Sequence, residues 1–245
     1  MNLESREKSI TLIVASLIVA LALGLGLNQV GNGFATRASE GITVTGSARV
    51  DAKADKAVWQ LNAEFIAPSQ SNAVARVGDA VDALVRYLVA GGISKDSIEF
   101  GSVSAYPQEE YVNGSRTGRI LSYGASRAVT VRSENVELIR KLSTNLGSLL
   151  ETGVNVTNYG PQFYVSKLSE LRPELLRQAM EDAKIRAEAI VEATGGKVGN
   201  VMSVRSGPFQ VTSPDSVDTS AGGFYDTQTI DKTITSTVTV MFKVD

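Results

Sequence analysis

Between Ala57 and Leu88 the hydrophobic period of the chain changes from two residues to between three and four. That change constrains the fold more tightly than any other feature. In KAVWQLNAEF, Ala57, Trp59, Leu61, Ala63 and Phe65 alternate with Val58, Gln60, Asn62 and Glu64, the period of a half-buried strand with Trp59 as a core anchor. From Ser71 onward Val77, Val81, Leu84 and Leu88 recur at three or four, the stripe of an amphipathic helix, and Gly91-Gly92 ends it. Strands over Ser97–Tyr111 and Gly118–Val131 follow, joined by the turn-prone VNGSR. A second helix starts at Ser133, an N-cap with Glu134 behind it, and runs through Leu138, Leu142 and Leu146 to the neighbourhood of Thr152. Asn155 to Val165 reads as another strand. Strand, helix, strand, strand, helix, strand is the split βαβ, ferredoxin-like order. The fold class it predicts is α+β, a mainly antiparallel sheet with helices on one face. The two halves share this order but little residue similarity, so no internal repeat is assigned.

Around this unit lie further elements. Ile42–Val50 forms a first strand candidate, and Leu168–Thr194 a third helix in which Pro173 is tolerable only near the start. Ala179, Ala183 and Ala187 step along that helix by four, so its inner face lets another backbone approach closely, from the same domain or from another subunit. After Gly195-Gly196 comes a strand around Val198–Val204. Gly207–Thr229 is rich in Gly, Pro and Ser and reads as a long mobile loop, longer than compact domains usually carry. The chain closes on TITSTVTVMFKV, with Ile234, Val238, Val240, Phe242 and Val244 on one side and Thr235, Thr237, Thr239 and Lys243 on the other.

The N-terminus is of a different kind. Ile10–Leu27 carries no charge, with Thr11 and Ser16 its only polar residues. As a helix it would span roughly 27 Å, close to the ~30 Å hydrocarbon core of a bilayer. A cleaved signal peptide is the rival reading, but its apolar region is usually about 7–15 residues. The expected organisation is a cytoplasmic tail over residues 1–9, a transmembrane anchor over 10–27, a polar linker over 28–40 and an extracytoplasmic domain over 41–245. Arg6 and Lys8 favour that orientation, although Glu4 and Glu7 blunt the local charge.

Composition narrows the chemistry. The chain has no cysteine and no histidine, so thiolate and imidazole metal sites, Ser-His-Asp and Cys-His catalysis, and disulfides are all out of reach. With 24 lysines and arginines against 26 acidic residues there is no basic excess for nucleic acid. Gly195-Gly196-Lys197 follows a helix and has Val198 at the magnesium-holding position, so it reads as a helix C-cap and not a phosphate loop. Ser5-Arg6-Glu7-Lys8 matches S-x-x-K in a short tail with no fold to position it. Asp51 and Asp55 are too sparse for a calcium loop, and Glu109-Glu110 and Glu181-Asp182 are neighbours that do not face each other. No catalytic, cofactor-binding or metal-ligating residue is assigned. Tyr106, Tyr111, Tyr123, Tyr159 and Tyr164 fall near strand ends, where they cap the sheet edge or serve an interface.

Over residues 41–245 the chain resembles the SIMPL-domain family, whose bacterial members are envelope proteins. ITVTGSARVDAKADKAVWQLNAEF, ALVRYLVAGGISKDSIEFGSVSAYPQEEY, AMEDAKIRAEAIVEATGGKVGNVMSV and TITSTVTVMFKV carry the resemblance by their order. It implies an α+β extracytoplasmic domain without agreed catalytic residues, links to envelope integrity and oxidative stress, and higher oligomers in some members. The Gly207–Thr229 loop departs from that pattern. The expectation is a non-enzymatic protein of the bacterial cell membrane, periplasmic in its main domain, with no cofactor, acting as a homo-oligomeric scaffold. If the segment is cleaved, it is secreted to the periplasm. The alternative is a binding module for a lipid, peptide or cell-wall fragment, using a largely apolar groove beside the sheet.

Overall fold

The computed structural model describes Leu23 and residues 41–245. The anchor expected over 10–27, the tail and the linker therefore lie outside the described residues, apart from Leu23. Among the described residues no helix is long and apolar enough to cross a membrane. The chain groups into two compact units. Among the described residues the first takes 41–46, Met180–Arg205 and Val238–Asp245, and the second takes Ser47–Ala179 and Ser206–Thr237.

The second unit contains the elements read from the change of period: β2 (Lys56–Ala67), α1 (Gln70–Ala90), β3 (Ile98–Phe100), β4 (Ser104–Val112), β5 (Ser115–Ser133), α2 (Val136–Thr144), α3 (Gly147–Leu150) and β6 (Val156–Tyr164). The strands lie in the order β3-β5-β2-β6, with β4 also on β5, and the pairs are antiparallel. This is the strand order of a split βαβ unit. Ala57, Trp59, Leu61 and Ala63 of β2 are buried with Val129 and Val131 of β5 and with Val77, Leu84 and Leu88 of α1, forming one core. Trp59 is fully buried, and its Nε1 donates to Asn158 Oδ1 at 2.8 Å, so the indole keeps its hydrogen bond while filling the core.

Element ends differ from the sequence reading in small ways, each for a local reason. Ser69 caps α1, its Oγ accepting from Asn72 N. Asn135 caps α2, its Oδ1 accepting from Leu138 N at 3.0 Å, while Ser133 Oγ accepts from Asn135 N one step earlier. The single strand expected over Ser97–Tyr111 breaks into β3 and β4 at Gly101, whose N–H donates to Ala128 O. Asn113 and Gly114 both have positive φ, 51° and 81°, which closes the β4–β5 hairpin as a type I′ turn.

Three long elements run through both units: β1 (Gly41–Lys53), α4 (Leu168–Glu192) and β10 (Asp231–Val244). With β7 (Val198–Ser206), β8 (Gln210–Thr212) and β9 (Phe224–Tyr225) the strands make a second sheet in the order β1-β10-β8-β9, β7 also pairing with β10. The described residues thus form two sheets where one was expected, and the β8–β9 pair is parallel. In the first unit Val44, Ala183, Ala187, Val191, Val238, Val240 and Phe242 are buried. The alanine stripe is therefore covered within a single chain. Gly196 follows the helix closely, and a Cβ there would lie 3.1 Å from Val191 Cγ1 and 3.4 Å from Val244 Cγ1.

Candidate functional site

In the second unit, alternate residues of two strands, β8 and β10, present hydroxyls on one face. Thr233 and Thr235 of β10 pair with Thr212 and Gln210 of β8. On the other side Thr233 Oγ1 donates to Asp51 Oδ1 at 3.0 Å and Lys53 meets Asp231 at 3.6 Å, a register that places Arg49 of β1 opposite Thr235. The segment between β8 and β9, part of the expected long loop, folds over this face. Gln210, itself buried, clips it down: Nε2 donates to Ser220 O at 2.8 Å and Oε1 accepts from Ser220 N at 3.4 Å. Ser216 Oγ donates to Asp218 Oδ2 at 2.9 Å and accepts from Asp218 N at 3.0 Å. Gly207 starts the segment close against β10. Its N–H donates to Thr237 O, and a Cβ there would lie 2.5 Å from Thr237 Oγ1.

The result is a half-open cup of about 590 Å³. Its floor is Arg49, Gln210, Thr212, Thr233, Thr235 and Thr237, and its wall is Pro208 and Pro214 to Ala221. The sequence reading expected a largely apolar groove. The cup's lining is apolar over more than half of its surface, and serine and threonine hydroxyls are set into it because the β10 face that carries Thr233, Thr235 and Thr237 is the one turned away from Ile234 and Val238 in the core. Sequence reasoning identified the one-sidedness of β10 but not Arg49 or Asp215, which only the covering segment brings to one cavity.

Beneath the same strand lies a buried ion pair. Lys232 is fully buried, and its Nζ donates to Asp226 O at 2.6 Å and Oδ2 at 2.8 Å. Burial alone would push the Asp226 carboxyl up. Hydrogen bonds from Lys232, Thr229 and the Gln228 N–H, with the lysine charge, outweigh it and hold the carboxyl at about 2. The pair ties the segment before β10 to the sheet and faces no cavity residue.

The acidic residues considered in the sequence are dispersed. Asp55 accepts from Ser166 N and Oγ, both at 2.7 Å. Burial raises its carboxyl pKa, but those bonds bring it below the ordinary value. Glu109 and Glu110 pair with Arg116 and Arg119, and Asp182 with Arg186. Among the described residues no three acidic side chains converge on a metal-sized site. Tyr106 donates to Glu64, which raises the phenol pKa together with burial, and its ring lies over Gly124, where a Cβ would come within 2.5 Å of Cε2 and Cζ. Tyr164 stacks obliquely on Tyr225 at 5.9 Å, whereas Tyr159 is exposed.

A second surface lies at the β4–β5 hairpin. Pairing of β2 with β5 ends at Ala67 and Tyr123, so residues 115–122 of β5 pair with β4 alone. This two-stranded arm exposes Tyr111, Val112, Ile120 and Leu121, each by 47% or more. Its charges are matched internally, Arg116 to Glu109 at 3.7 Å and Arg119 to Glu110 at 3.4 Å.

A family model described as "SIMPL: Protein of unknown function (DUF541)" matches residues 42–242, nearly all of the described chain. The chain belongs to the SIMPL family. No curated protein matches it. The SIMPL match covers residues of both units.

Proposed function

We propose that this SIMPL protein is a membrane-anchored, non-enzymatic module on the extracytoplasmic side of the bacterial envelope that works by self-association. The arm carries this reading. A two-stranded ribbon is at best marginally stable in water, and this one holds four large apolar side chains in solvent beyond the end of its supporting strand. A second copy fits it best, because the arm's charges cancel among themselves and two arms meet without repulsion. The uncharged run Ile10–Leu27 supports the anchor, with the domain following it across the bilayer.

The test is the mass of the full chain in detergent by light scattering during size-exclusion chromatography. A discrete oligomer is expected. Replacing residues 109–121 by Asn-Gly joins the paired residues Gln108 and Ser122 through a hairpin turn and leaves the rest of the sheet untouched. That variant should fall to a smaller assembly with its unfolding transition retained. A monomeric full chain, or an arm-shortened variant of unchanged mass, overturns the reading.

A further inference from the structure

The hydroxyl-lined cup contains two charged side chains that nothing in the described residues neutralises. Arg49 stands on the sheet floor and Asp215 in the covering wall, and neither makes a hydrogen bond or ion pair. The third charge, Asp218, is occupied by Ser216. A guanidinium and a carboxylate left unpaired in one cavity favour a ligand that carries both opposite charges and is neutral overall. The hydroxyls between them fit the same chemistry. Thr235, opposite Arg49, can donate to a ligand carboxylate or accept from a ligand N–H, as can Thr237 and Thr219, and none of the three makes an intramolecular side-chain hydrogen bond. No aromatic ring lines the cup, so the stacking platform on which sugar rings usually rest is missing. The volume falls within the ~300–1,000 Å³ of small-molecule sites.

We propose that the cup binds a zwitterion of the amino-acid or short-peptide class, its carboxylate on Arg49 and its ammonium on Asp215. Binding is non-covalent and needs no other group. The occupant is short because the cup holds only about 590 Å³. The inference is independent of self-association, since no arm residue lines the cup.

Isothermal titration of the full chain in detergent tests it with four probes: alanyl-alanine, its N-acetyl form, its C-terminal amide, and maltose as a neutral polyol. Alanyl-alanine is expected to bind, with either blocked form weaker by on the order of tenfold and maltose silent. R49Q should erase the difference between the dipeptide and its amide, and D215N the difference between the dipeptide and its N-acetyl form. Both side chains are exposed, so unchanged melting curves are expected to confirm folding. Repeating the titration on the arm-shortened variant separates this site from assembly: retained binding there supports an independent cup, and loss there would place the ligand elsewhere. No heat at millimolar dipeptide, equal affinity for all three dipeptide forms, maltose binding in place of dipeptide, or indifference to both substitutions overturns the proposal.

Discussion

At the scale of residues, Lys232 shows how much one buried charge depends on its partners. Its ammonium is wholly removed from water and satisfied by the Asp226 carboxylate, the Asp226 carbonyl and, more distantly, Thr229 Oγ1. Asp226→Asn leaves that charge uncompensated and should cost about 3–5 kcal/mol. Lys232→Met leaves the Asp226 carboxylate without its cation but still bonded by Thr229 and the Gln228 N–H, and should cost less, both read from urea unfolding. The pH sense follows from the carboxyl held at about 2 against an ordinary 3.8. A depressed carboxyl stabilises the fold fully above its unfolded value and loses that contribution as pH falls through the folded one. The unfolding free energy of the native protein should therefore drop between these two values, and a variant with Asp226→Asn should lack that component. The alanine stripe makes a second, opposite case. Ala183 and Ala187 are fully buried, so leucine at either site overfills a closed space and should cost about 1–3 kcal/mol, measured the same way.

Elements differ in how far their ends could be foreseen. Trp59 with its alternating neighbours, the Val77-to-Leu88 stripe and the Asn-Gly turn were legible because each depends on contacts or dihedrals within a few residues. β3 and β4 were not separable by pattern, since the break at Gly101 answers to Ala128 on another strand. β8 spans three residues and β9 two, too short for any period to register. The arm belongs to this scale as well. Its alternation reads as an ordinary hairpin, and only the end of β2 pairing at Ala67 reveals that half of it lacks a supporting neighbour. Backbone amides of residues 108–122 should therefore exchange quickly in dilute protein and become protected as concentration rises. Concentration-dependent hydrogen exchange measured by mass spectrometry checks this, with α1 as an invariant reference.

For the whole molecule, the proposed anchor over residues 10–27 should govern partitioning. The full chain is expected to stay with membranes through an alkaline wash, while a chain beginning at Gly41 should appear in the soluble fraction. Immunoblotting both fractions decides it. What the sequence by itself determined is what depends on neighbours along the chain: the periods of β2, α1 and β10, the apolar run near the N-terminus, the exclusion of thiol and imidazole chemistry, and the membership of the SIMPL family that matches residues 42–242. Only the tertiary structure decided which strands share a sheet, and that Arg49, Asp215 and Thr235 meet around one cavity although 20 to 186 positions separate them in sequence. The reason is that period records which face of an element is apolar, whereas strand pairing and the packing of a covering segment are set by long-range hydrogen bonds such as Gln210 to Ser220, on which the local pattern carries no information.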